Sequence, residues 1–227
     1  MHRQTRSDMS GVPVGVPFMN LVVLAGGRSE RMGYCKHDMC LAGVPLYAYP
    51  LRRLRCVCRH EIVVENAGLV EDRYAPGSLI VRDRIQGGGP LAGIHAGLAA
   101  SDTWFNFVIA ADMPFGCPSL AAAIAGFAAE GNLDIAYPSV DGLLEPLFAV
   151  YSQRVAEMAL ELLHAGRRSI RELFRDPRLR VAAVDREFVT RYDEHLLSFF
   201  NVNTPDDLIM ARLMMHESEK PLQEERV

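Results

Sequence analysis

No apolar run in this chain approaches the roughly 20 residues needed to cross a bilayer. The opening "MHRQTRSDMSGVPVGVPFMN" has basic residues but no continuous apolar segment, because Pro13 and Pro17 interrupt it, so it does not read as an export signal. No strong charge of either sign is present: the formal net charge over 227 residues is -4, which argues against nucleic-acid binding driven by bulk electrostatics. There is also no internal repeat, low-complexity tract or interdomain linker. These absences lead to the expectation of a cytoplasmic protein with no membrane or nucleic-acid partner.

Cysteine is too sparse and too irregular for a disulfide framework. The five residues (Cys35, Cys40, Cys56, Cys58, Cys117) are an odd number, and reduced thiols are the expectation. The spacings C-x4-C and C-x-C differ from the paired C-x2-C of zinc sites, and residues 56 and 58 point to different faces of a helix. Two phosphate-binding signatures are missing as well, G-x-x-x-x-G-K-[ST] and G-x-G-x-x-G.

What is present is alternation. The chain is 49% hydrophobic, enough for one sizeable core. "LVVLA" (21–25), "EIVVE" (61–65), "SLIVR" (78–82), "FNFVIAA" (105–111) and "LDIAYP" (133–138) are short apolar runs without polar alternation, as strands buried on both faces require. "LLEPLFAVYS" (143–152) predicts a further strand interrupted early by Pro146, and "LRVAAVD" another. Between them the pattern predicts helices over 46–59, 91–100, 118–130 and 153–165. Pro118 suits the first turn of its helix and Gly131 its end. "SIRELFRD" predicts a short helix with Ser169 as N-cap and Glu172 in capping-box position, and a final helix starts at Thr204-Pro205. The sum is an α/β fold: an open, mostly parallel, Rossmann-like sheet with helices on both faces. A single domain over 19–214 is expected between an N-terminal arm without packed structure (1–18) and a charged tail (215–227).

In such sheets ligands bind beyond the carboxyl ends of the strands. The first strand ends at "LAGGRSERMG", where Gly26-Gly27 allow close backbone approach to an anion and Arg28, Arg31 and Lys36 supply positive charge. The alternative is a strand-to-helix turn with a solvated basic face. Asp112 follows a largely apolar strand, so its carboxylate emerges at the rim of a buried sheet, either to hold Mg²⁺ with substrate phosphates or to cap the following turn. Asp83 leads into "RIQGGGPLAGIHAGL", whose glycines either let a ligand ring lie on backbone or form a hinge. Glu145 stands beside Pro146. Asn201 and Asn203 alternate along an extended segment; Asn203 competes with Thr204 to cap the last helix, and Asn201 has no such role.

Taken in order, "LAGGRSERMG-x-x-K", "GPLAGI-x-AGL", "AADMPF", "EPLFAVY", "RSIRELF" and "FFNVNTPDDL" resemble the molybdenum cofactor guanylyltransferases, the MobA family, from about Asn20 to Met214. The resemblance implies the nucleotide-diphospho-sugar transferase type of sheet and transfer of GMP from GTP to the phosphate of molybdopterin, with release of pyrophosphate. It implies that Leu24, Ala25, Gly26 and Gly27 line the nucleotide, and that Arg31 and Lys36 hold phosphates. Asn66, Asp83 and Gly89 would contact the nucleoside, Asp112 would hold Mg²⁺, and Asn201 and Asn203 would form part of the pterin-side wall. Transient contacts with cofactor-delivery and acceptor proteins are implied too. No protein nucleophile is needed, and the scattered histidines, His37, His60 and His95 among them, receive no catalytic role.

The sequence departs from the family pattern in two places. Cys35 precedes Lys36 where an acidic residue or Asn is usual, and a thiol replaces neither its charge nor its hydrogen bonds. At the end of the second strand Glu65-Asn66 offers two registers: Asn66 is preferred as the nucleotide contact, whereas Glu65 facing the site would repel phosphate yet accept the N1–H and N2–H₂ of guanine. Rival expectations are cytidylyl transfer, sugar-phosphate nucleotidyl transfer, and a nucleotide-binding module without turnover.

Overall fold

The computed structural model describes residues 17–26, 40–65, 77–83, 85 and 87–218, with the side chains of 216–218 excepted. In chain order the strands are β1 (Met19–Leu24), β2 (Cys40–Leu41), β3 (Val44–Pro45), β4 (Glu61–Glu65), β5 (Leu79–Arg82), β6 (Phe105–Ala110), β7 (Ile135–Val140), β8 (Leu143–Leu144), β9 (Phe148–Ser152) and β10 (Val181–Val184). The helices are α1 (Ala48–Leu54), α2 (Gly89–Ala99), α3 (Pro118–Glu130), α4 (Val155–His164), α5 (Arg186–Thr190) and α6 (Pro205–Ser218). One sheet of eight strands runs β10-β7-β9-β6-β1-β4-β5, with β8 paired to β7.

The apolar runs behave as their composition requires. Along β1, Leu21 and Val23 pack into one cluster with α1 and α3, while Val22 and Leu24 pack into another with α2 and α4. The strands so buried on both faces, β1, β4 and β6, pair in parallel, β1 with β4 and with β6. β5 and β10 also pair in parallel, with β4 and β7, but the expected burial of 78–82 on both faces is not seen: β5 and β10 are edge strands, exposed or half-buried over most of their length. The carboxyl ends of β6, β1, β4 and β5 therefore share one edge of the sheet.

The exception is β9, antiparallel to both β6 and β7. Its cause is local. After β7 the chain turns through Asp141 and Gly142, at φ of 52° and 81°. This left-handed pair suits a two-residue hairpin, which joins antiparallel strands without a helical crossover. The expected strand over 143–152 is accordingly divided: Leu143–Leu144 closes the hairpin, the chain breaks around Pro146, and Phe148–Ser152 enters the main sheet. A second small hairpin, β2–β3, turns through Ala42-Gly43 and had no counterpart in the sequence reading.

The other expected elements hold with adjusted ends. The helix expected over 46–59 stops at Leu54 and tightens into a 3₁₀ turn, Arg55–Val57. The reason is tertiary: Arg59 N–H donates to the Met19 carbonyl and Leu21 N–H to that of His60, so residues 59 and 60 must already be extended beside β1. α3 spans the expected 118–130, with proline in its first turn. "IRELFR" is a 3₁₀ segment; Ser169 has the extended backbone of a cap but no side-chain cap bond, and Glu172 instead pairs with Arg167.

Close packing sets the position of α2. A Cβ on Gly97 would stand 2.3 Å from Val22 Cγ1, and one on Gly93 3.2 Å from Leu24 Cδ2. The small residues Gly93 and Gly97 of "GPLAGIHAGL" thus let the helix lie directly on β1. Among the described residues no helix is long and apolar enough to cross a membrane.

Candidate active site

β1 delivers Leu24 and Ala25, both buried, and then the exposed Gly26 to the carboxyl edge. Two ladder bonds fix this exit between its neighbours. Ala25 N–H donates to the Val64 carbonyl at 2.9 Å, and Ala111 N–H donates to the Leu24 carbonyl at 3.1 Å. The strand that ends in the glycine bend and the strand that ends in Asp112 are therefore adjacent, with their ends in register. Gly27, Arg28, Ser29, Arg31, Cys35, Lys36 and Asn66 lie outside the described residues.

Asp112 sits in a turn closed by Met113 N–H on the Ala110 carbonyl. Its neighbours explain why it stays at the rim. Met113 and Phe115 are both buried, Phe115 in a third cluster with Leu41, Leu46, Val202 and Ala211. Arg53 Nε donates to the Gly116 carbonyl at 3.1 Å and ties the same loop to α1. The turn is thus held by its apolar residues, while the half-buried Asp112 remains between them.

"FFNVN" uses the same alternation. Phe199 meets Phe148 edge-on at 5.5 Å, Phe200 meets Phe115 at 5.9 Å, and Val202 is fully buried. Val202 N–H donates to the Asp112 carbonyl at 2.9 Å. This pins Asn201 and Asn203 beside the Asp112 turn. Asn201 Nδ2 donates to the Phe199 carbonyl. The cap of α6 is Thr204, whose Oγ1 accepts from Asp207 N–H, while Asp207 Oδ2 accepts from the N–H groups of Asn203 and Thr204. Of the two rivals for the cap, Thr204 takes it, so neither Asn201 nor Asn203 spends its side chain there.

Asp83, directly after β5, accepts from Ile85 N–H at 2.8 Å and so shapes the loop into α2. His95 on α2 has its pKa lowered, by burial first, against the opposing effect of Asp83. Gly89 opens α2 at φ 61° and is exposed, so the free N–H groups of the helix N-terminus face the same edge.

Two further polar groups reach this region without having been assigned a role. Glu145 precedes β9, held by its N–H on the Pro138 carbonyl, and burial pushes its carboxyl pKa up. Pro146 beside it is anchored by the fully buried Tyr151, whose hydroxyl donates to the Pro146 carbonyl at 2.8 Å. The second group is Arg168: a Cβ on Gly87 would stand 3.5 Å from its Nη1, which puts a guanidinium beside the loop that opens α2. The motif "RSIRELF" carried it, but no spacing in the sequence joined it to the glycines. Phe174 of the same motif stacks on Tyr137 at 4.4 Å.

Oxygen donors dominate this edge. Among the described residues no group of three or more His, Cys, Asp or Glu side chains gathers to hold a metal. Cys58 is buried, which pushes its thiol pKa up, the reverse of what a metal-binding thiolate needs. A single rim carboxylate such as Asp112 instead suits Mg²⁺, which takes one or two carboxylates and completes its shell with phosphate oxygens and water.

Over most of its length the chain is similar to known proteins. The family model described as "MobA-like NTP transferase domain" matches residues 21–183. A relative from Pelotomaculum thermopropionicum named "Probable molybdenum cofactor guanylyltransferase" is 39% identical over 199 residues, covering 87% of this chain and 93% of the relative. The "Molybdenum cofactor guanylyltransferase" of Desulfosudis oleivorans is 32% identical, covering 84% and 92%. Among solved structures, molybdopterin-guanine dinucleotide biosynthesis protein A from Archaeoglobus fulgidus superposes with a TM-score of 0.76 at 30% identity, covering 88% of this chain and 100% of that one. A 2-C-methyl-D-erythritol 4-phosphate cytidylyltransferase from Thermus thermophilus has a TM-score of 0.65 at 16% identity over 88% of this chain and 100% of that one, a likeness of fold alone. With the family model spanning most of the chain and relatives aligned over nearly their whole length, this protein belongs to the MobA-like NTP transferase family.

Proposed function

We propose that this protein transfers GMP from GTP to the phosphate of molybdopterin, forming molybdopterin guanine dinucleotide and pyrophosphate. The observation that carries the reading is the Ala111 N–H to Leu24 carbonyl bond, which sets the glycine exit of β1 beside the Asp112 turn. A triphosphate lying along the bend then has its metal partner on the neighbouring strand. The names of the relatives support guanine and the pterin over the cytidylyl and sugar-phosphate alternatives.

In this mechanism a phosphate oxygen of molybdopterin attacks the α-phosphorus of GTP in line, and the bond to the pyrophosphate oxygen breaks. Leu24, Ala25, Gly26 and Gly27 line the nucleotide, with Asn66, Asp83 and Gly89 at the nucleoside. Arg31 and Lys36 neutralise the phosphates, and the N-terminus of α2 adds main-chain donors. Asp112 would hold Mg²⁺, which when bound offsets charge on the phosphate oxygens. Asn201 and Asn203, fixed through Val202, position the acceptor. No side chain forms a covalent intermediate, so rate comes from positioning and charge neutralisation.

The test is direct. Purified protein is incubated with Mg²⁺, molybdenum-loaded molybdopterin and each nucleoside triphosphate in turn, and pyrophosphate is measured. GTP-dependent release is expected. Release with CTP alone would overturn the base assignment, and tight GTP binding without release under any acceptor would favour a module without turnover.

A further inference from the structure

Glu65 ends β4 and is 2% exposed. Its Oε1 is buried and has no hydrogen-bond partner among the described residues. Buried polar atoms are almost always satisfied, and a carboxylate oxygen without a donor is among the costlier exceptions. Arg82, opposite Glu65 in the β4–β5 register, is exposed and leaves Oε1 unsatisfied. A carboxylate so placed calls for a donor that the described residues do not supply.

Its position says where that donor comes from. Val64 is opposite Leu24 in the β1–β4 register, and Ala25 N–H bonds the Val64 carbonyl, so Glu65 lies directly beside the exit of β1. Val63 packs in the cluster of Val23 and Ala25, and Val64 in that of Val22 and Leu24; alternation along the strand then puts Glu65 on the face of Ala25. Asp83 N–H donates to the Glu65 carbonyl at 2.9 Å, joining it to the segment that leads into α2. The carboxylate thus belongs to the edge where β1, β4 and β5 end together.

An ionised carboxylate only accepts hydrogen bonds. Guanine presents two adjacent donors, N1–H and N2–H₂, on its pairing edge. Adenine and cytosine each set an acceptor nitrogen beside their amino group, which would face the carboxylate unfavourably. We propose that Glu65 reads guanine, accepting from N1–H and N2–H₂ and so selecting GTP over other nucleotides. The inference rests on the guanylyl-transfer reading above and gives its base specificity to one side chain.

The experiment compares binding of GTP, ITP and XTP, each with Mg²⁺, to the full chain and to Glu65→Gln. ITP lacks the N2 amino group, and XTP carries a carbonyl there. The unaltered protein is expected to prefer GTP over ITP by about tenfold or more, since a site built around a donor rejects the analogue without it, and to bind XTP more weakly still. Glu65→Gln should lose affinity for GTP and gain it for XTP, because the carboxamide donates to the new carbonyl while accepting from N1–H. Equal affinity of the unaltered protein for GTP and ITP would overturn the proposal without a variant being needed. So would an unchanged GTP-to-XTP ratio in Glu65→Gln, and both outcomes leave guanylyl transfer standing. Binding of CTP in place of GTP by the unaltered protein would remove both readings together.

Discussion

Val202 N–H donates to the main-chain carbonyl of Asp112 at 2.9 Å. Two segments far apart in the chain, "AADMPF" and "FFNVNTPDDL", are joined by this bond into one wall of the carboxyl edge. It holds them through main chain and buried apolar side chains.

Asp112→Asn keeps the size of the side chain and the carbonyl that Val202 uses, so the fold should be retained. Mg²⁺-dependent pyrophosphate release should fall about 100-fold or more, in line with losses on removing one charge-stabilising group. Steady-state rates and melting curves check it; unchanged turnover would put the metal elsewhere.

Lys36→Ala should raise the Kd for GTP. Calorimetric titration with GTP and Mg²⁺ checks it. An unaltered affinity would remove Lys36 from the phosphate site, whatever the consequence of Cys35 before it.

Gly97→Ala puts a methyl 2.3 Å from Val22 Cγ1. Overpacking of this kind costs about 1–3 kcal/mol, so the midpoint should drop by several degrees. Because β1 ends and α2 begins at the site, a drop in GTP affinity should accompany the lost stability. Denaturant melts and nucleotide titration together test the coupling.

Thr204→Ala removes the acceptor for Asp207 N–H. An N-cap loss costs about 1 kcal/mol. Thr204→Ser should restore most of it, which distinguishes capping from a general effect of the substitution.

Glu145 gives a pH test. Burial raises its folded-state pKa above the unfolded value, so its stability contribution is complete below the ordinary glutamate pKa, about 4.3. That contribution is lost as pH rises through the raised folded value. Glu145→Gln in the nucleotide-free protein should therefore be more stable than the parent at pH 7 and equal to it near pH 4. Melting curves across this range decide, and a constant difference between the two would point away from titration of Glu145.

Much of the architecture was legible because it follows from local patterns. Apolar runs such as "EIVVE" became doubly buried strands, and "PSLAAAIAGFAAE" carried both its starting proline and its closing glycine. What escaped depended on partners remote in sequence. The helix from residue 46 ended early because residues 59 and 60 were already committed to β1. Ser169 and Glu172 fitted a capping box, yet Glu172 pairs with Arg167. Asp141-Gly142 forms a hairpin turn that divides the strand expected over 143–152 and sets the antiparallel entry of β9.

The site divides in the same way. Residue order alone marked Gly26-Gly27, Asp112 and the asparagine pair as candidates and pointed to the family they resemble, because strand ends and turn residues are written locally. Only the folded chain set the ends of β1 and β6 side by side, closed Val202 onto Asp112, gave the cap of α6 to Thr204, and buried Glu65 with an oxygen that the described residues leave unsatisfied. Those outcomes turn on strand register and on which backbone groups find each other across the sheet, and such distances are fixed only when the layers pack.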